Sequence, residues 1–413
     1  ELEPNDDTAQ AITSGESIVG TISTSSDKDI YAIATDSEGT LTVKFETSVD
    51  QSDGYEIIIL DGSDNILSSV LCDRDCVSSQ DESRSMTVGL SAAGTYFVYV
   101  RSESSYFAPE GNYTMAATFV AGAPTGVELE PNDDTAQAIT SGESIVGSLS
   151  STSDVDWYVL AASGEGSLDV SMGTEKNNSS YYFSFYVVDE DNNILVSEFC
   201  GSDCSSGGKH IVAGLRSAGN YFIAVVSDSS YGVPKGAYTL QVNYSAETIS
   251  GLEFEPNDTY KQAPDLFSSI PMKGSLSSSD DLDWYTLAIS DSAIIQVSFF
   301  AEQSQYNDWR ISFYDQNRNF INSMLCGGSS CVQNGMSMTI NALGSGSFYV
   351  LVESSSEVYY PYGGYELKII SSILPDAPAI PTDFTASVGT SQLGVSLSWG
   401  DAQTGNGYVL SRS

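Results

Sequence analysis

The sequence predicts an all-β protein of three tandem antiparallel β-sandwiches with jelly-roll-like topology, followed by part of a further sandwich. Three observations support this prediction. One long segment recurs along the 413 residues, the stretches between turn residues resemble short strands, and no stretch sustains a helical period. Because 41% of the residues are hydrophobic, we expect packed cores rather than general disorder.

An internal repeat divides the chain into units. Residues 1–20 and 128–147 are identical, and a diverged third copy, EFEPNDTYKQAPD, begins at Glu253. A repeat of this length is a whole domain rather than one turn of a solenoid. The linkers are short, so we expect neighbouring units to touch or to restrict one another. The predicted domains are unit 1 at residues 1–121, unit 2 at 128–246 and unit 3 at 253–372.

Within each unit the local pattern predicts strand after strand. Gly39–Phe45 and Gly94–Val100 are short, rich in β-branched and aromatic residues, and bounded by Gly, Ser and Asp. In another segment, Tyr55, Ile57 and Ile59 are apolar at alternate positions, which is the period of a strand with one face toward a core. Many such strands in each unit indicate a sandwich or jelly roll.

The charge balance argues against several classes of partner. Fifteen Lys and Arg residues against 55 Asp and Glu give a net charge of −40, which repels nucleic acid and anionic lipid and favours hard cations such as calcium. The single histidine, His210, argues against repeated triad hydrolase or histidine-ligated metal sites. No apolar stretch approaches the roughly 20 residues that span a bilayer, so we expect no membrane insertion. Since the chain opens at Glu1 rather than Met, we expect a processed piece of something longer.

The cysteines form three close pairs and predict an oxidising compartment. We expect a disulfide in each pair, which requires the chain to turn, because a straight strand would hold the two residues beyond bonding distance. Zinc is the alternative, but each unit offers only two thiolates; a redox C-x-x-C motif is absent. The predicted disulfides are Cys72–Cys76, Cys200–Cys204 and Cys326–Cys331.

The repeated E-x-E-P-N-D segment predicts a calcium site in each unit. It concentrates oxygen donors on a non-helical stretch stiffened by proline, and the later D-x-D pair supplies the remaining oxygens of the six to eight that calcium takes. The alternative is an acidic capped turn, against which the same donors recur in the diverged third unit. We expect a structural ion at the domain entrance, with an affinity of about 10⁻⁴ to 10⁻³ M or somewhat tighter. The candidate ligands are Glu1, Glu3, Asn5, Asp6, Asp27 and Asp29; Glu128, Glu130, Asn132, Asp133, Asp154 and Asp156; and Glu253, Glu255, Asn257, Asp258, Asp281 and Asp283.

Each unit also carries an aromatic loop with matching Pro, Gly and Tyr positions. Aromatic side chains on a loop can stack on sugars or hold a protein strand, although packing at the end of a hairpin is the plainer interpretation. The candidate ligand or partner contacts are Tyr106, Phe107, Tyr231, Tyr359, Tyr360 and Tyr362.

The combined E-x-E-P-N-D, D-x-D-[IW]-Y and Gly-x-Tyr motifs resemble the bacterial pre-peptidase C-terminal (PPC) domain family. The collagen-binding domains of clostridial collagenases are relatives of this family. The resemblance covers residues 1–372 three times over. It implies a jelly-roll-like sandwich found beside secreted proteases or in large surface proteins, a calcium site at the E-x-E-P-N-D motif, and no catalysis by the module itself.

The tail, residues 378–413, resembles the opening part of a fibronectin type III domain. The similarity rests on Pro378-x-x-Pro381, on Leu397-Ser398-Trp399 and on the Gly-Tyr-Val-Leu run that starts at Gly407. An incomplete sandwich would leave an open edge that a strand of another chain can complete. The alternative is that the chain simply continues.

Two functions follow from these features, both non-catalytic and both at a bacterial cell surface or in the secreted medium. The first is a calcium-binding repeat that forms the structural stalk, adhesive or filamentous part of a large secreted or surface protein, with the chain itself as partner. The second is an accessory module that targets a secreted hydrolase to polysaccharide or fibrous protein, where three units add avidity. We do not expect an enzyme, because a repeat leaves little room for one unique catalytic constellation.

Overall fold

The chain is all-β, as predicted. No described helix is long and apolar enough to cross a membrane. The computed structural model describes residues 1–47, 54–72, 76, 84–174, 182–201, 204–228, 232–234, 236–247, 250–301, 308–327, 331–332, 334–356, 361, 363–373, 385–388 and 395–398.

Unit 1 folds into two facing sheets. The first has the strand order β1-β3-β8-β5-β6 and the second β2-β9-β4-β7, with antiparallel pairing except between β1 and β3. The strands are β1 (Gln10–Ile12), β2 (Ser17–Gly20), β3 (Lys28–Thr35), β4 (Gly39–Thr47), β5 (Tyr55–Leu60), β6 (Ile66–Cys72), β7 (Arg84–Leu90), β8 (Gly94–Ser102) and β9 (Tyr113–Ala121).

Unit 2 repeats this arrangement. Its sheets have the orders β10-β12-β17-β14-β15 and β11-β18-β13-β16, and β10 and β12 are again parallel. The elements are β10 (Gln137–Ala138), β11 (Ser144–Gly147), β12 (Val155–Ala162), β13 (Gly166–Thr174), β14 (Phe183–Val188), β15 (Ile194–Cys200), the short helix α1 (Cys204–Gly207), β16 (Lys209–Leu215), β17 (Gly219–Ser227) and β18 (Tyr238–Ser245).

Unit 3 has the sheet orders β20-β25-β22-β23 and β19-β26-β21-β24, and two antiparallel strands of the tail follow it. The strands are β19 (Met272–Ser275), β20 (Leu282–Ile289), β21 (Ala293–Ala301), β22 (Trp309–Tyr314), β23 (Phe320–Cys326), β24 (Met336–Ala342), β25 (Gly346–Ser354), β26 (Gly364–Ile373), β27 (Thr385–Val388) and β28 (Val395–Ser398). Most of residues 378–413, for which a fibronectin type III-like domain is predicted, lies outside the described residues.

A separate hydrophobic core lies between the two sheets of each unit. Tyr55, Ile57 and Ile59 of β5 are fully buried in the first core, so the predicted alternation places them on the core side. Each core also holds a cysteine pair, and all three predicted disulfides are formed. The disulfides connect the end of one strand to the turn that follows it.

Neighbouring units are in contact, as the short linkers predict. A parallel bridge pairs Gly89 of unit 1 with Leu129 of unit 2, and the hydroxyls of Ser68 and Ser148 are hydrogen-bonded at 2.7 Å. Between units 2 and 3, the Arg216 guanidinium reaches the ligand segment of the next unit. The E-x-E-P-N-D segments of units 2 and 3 are therefore placed at the joints between sandwiches.

Candidate metal centre

The E-x-E-P-N-D segment of each unit runs along the edge of its sandwich, next to the strand that carries the D-x-D pair. In unit 2, Glu128 N donates to Val146 O at 2.9 Å, which attaches the segment to β11. Asp154 precedes β12 and Asp156 lies within it, so β12 brings its carboxylates to the same edge. In all three segments the Glu–Pro peptide bond is cis, namely Glu3–Pro4, Glu130–Pro131 and Glu255–Pro256.

Three carboxylates converge in every unit. Each residue of a cluster offers one oxygen that lies within 4.8 Å of the oxygens offered by the other two. The second Asp of the D-x-D pair joins the cluster, and the two Glu residues come from the E-x-E-P-N-D segment. The clusters are Glu1, Glu3 and Asp29; Glu128, Glu130 and Asp156; and Glu253, Glu255 and Asp283.

Neutral donors hold the carboxylates of unit 2. Ser148 N donates to Glu128 Oε2 at 2.8 Å, and the hydroxyls of Tyr158 and Tyr238 each lie 3.1 Å from Glu128 Oε1. The Tyr238 hydroxyl is also 2.6 Å from Asp156 Oδ2. Within the described residues, no Lys or Arg side chain donates a hydrogen bond to these carboxylates, so a basic side chain does not balance the negative charge of the ionised cluster.

Several oxygens at the site have no hydrogen-bond partner although they are buried. A buried acceptor without a partner costs free energy, and native structures rarely keep several together. In unit 2 these atoms belong to the E-x-E-P-N-D segment and to both residues of the D-x-D pair, and in unit 3 nearly the same set recurs. They are Glu130 Oε1, Asn132 Oδ1, Asp154 Oδ1 and Asp156 Oδ1, then Glu255 Oε1, Asn257 Oδ1 and Asp283 Oδ1.

The electrostatics of the clusters disfavour ionised carboxylates. Burial raises the pKa of Glu130 to about 9, and the nearby charge of Glu128 adds to this effect. Burial, followed by the charge of Glu128, holds the pKa of Asp156 well above its ordinary value. In unit 1, burial raises the pKa of Asp29 to about 7. A bound divalent cation would reverse these preferences because it stabilises the charged form.

In unit 1, the Asn5 side chain faces two carboxylates. One terminal atom of its amide lies 3.0 Å from Glu3 Oε2 and 2.9 Å from Asp29 Oδ1. As nitrogen, this atom would donate to both carboxylates. As oxygen, it would place three acceptors face to face, an arrangement that a shared cation makes favourable. The corresponding amide oxygens of Asn132 and Asn257 are the unpartnered ones, which favours the oxygen orientation in all three units.

The structure separates the other predicted ligands by role. Asp6 Oδ1 accepts from Lys28 N at 3.0 Å and Asp133 Oδ1 from Val155 N at 2.9 Å, and both side chains are exposed. These Asp residues therefore cap the start of the D-x-D strand. The predicted ligands outside the carboxylate clusters are Asn5, Asp6 and Asp27; Asn132, Asp133 and Asp154; and Asn257, Asp258 and Asp281.

The first Asp of each D-x-D pair has a mixed role. In every unit one of its oxygens accepts a backbone N–H at 2.5 Å, from Ser23, Ser150 or Ser277. In unit 2 the other oxygen of Asp154 is buried and unpartnered. That oxygen is free to coordinate a cation.

Sequence reasoning missed the tyrosine pair behind each cluster. Tyr285 Oη lies 3.1 Å from Glu253 Oε1, and Tyr365 Oη lies 2.6 Å from Asp283 Oδ2. The two hydroxyls are 2.5 Å apart. Both tyrosines belong to motifs that recur in every unit, the D-x-D-[IW]-Y strand and the final Gly-x-Tyr, and this recurrence was the available signal.

The aromatic candidates of this loop belong to the described residues in unit 1 only. Tyr106 is 84% exposed and Phe107 is 64% exposed, so neither packs into the hairpin end. The equivalent candidates Tyr231, Tyr359, Tyr360 and Tyr362 lie outside the described residues.

No family model and no curated protein matches the chain. Among the solved structures that are similar to parts of it are the following three. The pre-peptidase C-terminal domain of a Bacillus anthracis collagenase is 23% identical over 26% of this chain and 93% of that domain, with a TM-score of 0.21. The tandem CBM51 modules of a Streptococcus pneumoniae family 98 glycoside hydrolase share 9% identity over 55% of this chain and 84% of theirs, with a TM-score of 0.18.

A tandem pair of CBM22 domains from Paenibacillus barcinonensis is similar at 8% identity, covering 52% of this chain and 82% of that one, with a TM-score of 0.19. The chain is an all-β protein of tandem β-sandwiches that is similar to pre-peptidase C-terminal domains.

Proposed function

We propose that each unit binds one calcium ion at its E-x-E-P-N-D segment. The observation that carries this proposal is the carboxylate cluster of every unit, beside which buried, unpartnered oxygens converge in units 2 and 3. All the donors are carboxylate or amide oxygens, and this donor set suits a hard cation rather than zinc or copper. The ion would balance the buried charge and supply the missing partner of each orphaned oxygen.

The ion's role is structural. It links the entrance segment of a unit to the strand that carries the D-x-D pair, and so fixes the path of the chain between two sandwiches. Such units form a non-catalytic, extracellular stalk or adhesive part of a large secreted or surface protein. The three disulfides agree with an oxidising compartment.

Calorimetric titration of the chelator-treated chain with calcium tests this function. We expect three binding events, and two after Asp156→Asn removes one ligand of unit 2. Asp134→Asn is the matched control, because Asp134 is an exposed acid in the same segment and outside the cluster. Injection heats that show no saturable binding would refute the calcium proposal. Loss of a site in Asp134→Asn as well as in Asp156→Asn would also refute it.

A second candidate function, binding of polysaccharide or fibrous protein, is favoured by a row of aromatic rings on unit 3. Trp284 lies 5.3 Å from Tyr314, which lies 6.0 Å from Phe320, measured between ring centroids. The Arg318 guanidinium lies 4.4 Å from the centroid of Tyr260, which in turn contacts Trp284. These rings are partly exposed, and Phe320 is 60% exposed, so part of this aromatic surface is available to sugar rings or apolar side chains.

Pull-down on cellulose, chitin and fibrillar collagen tests this second function. Phe320→Ala and Tyr314→Ala should reduce retention, and Tyr106→Ala reports the contribution of the unit 1 loop. Ile66→Ala, at the position of unit 1 that corresponds to Phe320, is the matched control. Unchanged retention in every aromatic variant would exclude these surfaces as binding sites.

A further inference from the structure

The first ligand of unit 2 is shared between two sandwiches. Gly89 N, at the end of β7 in unit 1, donates to Glu128 O at 2.8 Å. The amide of Glu128 bonds within unit 2 to Val146 O, and its carboxylate accepts from Ser148 N. The carbonyl of this residue is therefore fixed by unit 1, whereas its carboxylate points into the cluster of unit 2.

The close approach of the two units requires glycine on the receiving strand. A Cβ atom at Gly89 would lie 2.6 Å from Glu128 O, and one at Gly214 would lie 2.2 Å from Glu253 O. Both contacts are with backbone atoms, which cannot move aside as the end of a flexible side chain would. Unit 2 thus receives unit 3 at the position that corresponds to Gly89 in unit 1.

At the second joint an arginine adds to this contact. Arg216 Nη2 donates to Phe254 O at 2.6 Å and to Pro256 O at 3.2 Å, and its Nε donates to Glu255 O at 3.1 Å. The guanidinium thus binds three successive carbonyls of the segment that carries Glu253 and Glu255. Glu253 directly precedes this run of carbonyls and Glu255 lies within it. Fixing the carbonyls therefore limits the positions that the two ligand carboxylates can take.

Unit 3 lacks these receiving features. The residue that corresponds to Gly89 and Gly214 is Asn341, and the counterpart of Arg216 is Leu343, which is 74% exposed. Only the two units that precede an E-x-E-P-N-D segment therefore carry the receiving glycine. The receiving glycine is thus present in units 1 and 2, each of which is followed by a ligand motif, and is replaced in unit 3, which is not.

We propose that the calcium sites of units 2 and 3 are each built on two units, with the preceding sandwich positioning the first ligands through its backbone contacts. This inference rests on the proposed calcium function. Gly89, Gly214 and Arg216 are positioning residues, since they touch the ligand segment and not the ion. Calcium binding and docking of the preceding unit are then coupled, and each strengthens the other by the same factor.

The test isolates the site of unit 2 within the full chain. With Asp29→Asn and Asp283→Asn in place, only that site keeps its complete ligand cluster. In this background Gly89→Ala should weaken calcium binding by about fivefold or more. Gly62→Ala is the matched control and should leave the affinity unchanged, because a Cβ there meets only Thr95 O at 3.4 Å.

Arg216→Gln provides an independent variant at the other joint, where an exposed side chain is changed and folding is not at risk. In a chain carrying Asp29→Asn and Asp156→Asn, this substitution should weaken the site of unit 3 by about fivefold. Wild-type affinity in both Gly89→Ala and Arg216→Gln would overturn the coupling and leave calcium binding intact. Failure of the unmodified chain to bind calcium would refute the proposed function instead.

Coupling also predicts that calcium narrows the distance distribution between units 1 and 2. Spin labels at the exposed positions Glu38 and Asp191 would report this distance. Calcium should narrow the distribution in the unmodified chain and should fail to do so in Asp156→Asn. If Gly89 had only a structural role, Gly89→Ala would change the distance distribution by the same amount with and without calcium. The same calcium-induced narrowing in Gly89→Ala as in the unmodified chain would therefore contradict the proposal.

Discussion

Units 1 and 2 begin with identical residues in different surroundings. Glu3 is exposed, whereas its counterpart Glu130 is 9% exposed. Leu2 is 73% exposed, whereas Leu129 is half-buried against unit 1. The sequence of the segment is the same in both places, and the unit 2 copy differs in that it contacts unit 1 through Gly89.

The comparison shows that a ligand motif does not define its site alone. A buried site excludes water and strengthens the attraction between its carboxylates and a cation, and it also raises the cost of leaving them without one. The site of unit 2 should therefore differ from that of unit 1 both with calcium and without it. The following predictions, from the largest expected effect to the smallest, test that difference.

The largest effect is expected from replacing the central carboxylate. Asp156→Asn should weaken calcium binding at unit 2 by more than the about 10- to 100-fold that loss of an outer-sphere partner causes. In chelator the same substitution should raise the thermal midpoint of unit 2, because burial opposes ionisation of Asp156 and folding without calcium must protonate this carboxyl. Asp29→Asn should do the same in unit 1, with a smaller rise. Scanning calorimetry measures both, and a lower midpoint for Asp156→Asn in chelator would contradict the unbalanced cluster.

The next effect concerns the tyrosines behind the ligands. Tyr238→Phe removes a hydroxyl that contacts Glu128 and Asp156, and should weaken the site of unit 2 by about 10- to 100-fold. Tyr113→Phe should have a smaller effect, because the Tyr113 hydroxyl bonds Asp29 Oδ2 at 2.5 Å but lies 3.4 Å from Glu1 Oε2, and so holds the first Glu less closely. Titration calorimetry gives both ratios. Equal losses would mean that the tyrosines act alike in spite of the different burial.

The native sites themselves should differ by about fivefold or more in calcium affinity, with unit 2 the tighter. The site of unit 1 is isolated by Asp156→Asn with Asp283→Asn, and that of unit 2 by Asp29→Asn with Asp283→Asn. Because the two ligand segments are identical, each site serves as the other's sequence control. Equal affinities would show that the contact with the preceding unit has no effect on binding.

The smallest effect is on the pH dependence of stability in chelator. A carboxyl whose pKa is higher in the folded than in the unfolded protein keeps a proton that the unfolded chain has lost, so stability falls as pH rises toward the folded-state pKa. The decline should end near pH 7 for Asp29 and extend to about pH 9 for Glu130. Thermal midpoints measured by calorimetry across this pH range test the prediction. Calcium is the control, because it should remove the decline. Midpoints that rise with pH in chelator would count against the prediction.

Much of the fold and part of the site could be predicted from the sequence, because their causes are local. The alternation at Tyr55, Ile57 and Ile59 reports a strand with one buried face, and a close cysteine pair leaves few options in an oxidising compartment. The carboxylates of the cluster were predictable because E-x-E and D-x-D place residues of the same type at alternate positions of extended segments.

The rest depends on contacts between distant parts of the chain. Tyr238 reaches Asp156 from β18, at the far end of unit 2, and a repeated tyrosine in a strand is usually read as core packing. Gly89 reads as an ordinary strand residue until the next unit is placed against it. Because the two segments have identical sequences, the sequence of the segment cannot predict that Glu3 is exposed and Glu130 is buried.

The receiving glycines bear on how such an array can lengthen during evolution. Unit 2 carries both halves of the joint, the ligand segment at its entrance and Gly214 on its receiving strand, so copies of it are compatible with one another. In-frame duplication of unit 2 would add a sandwich that docks on its predecessor and accepts its successor without any compensating substitution. Duplication of unit 3 would instead set Asn341 against the next entrance, and selection would first have to restore glycine there. Gene duplication can therefore extend the array by copying unit 2 more readily than by copying unit 3.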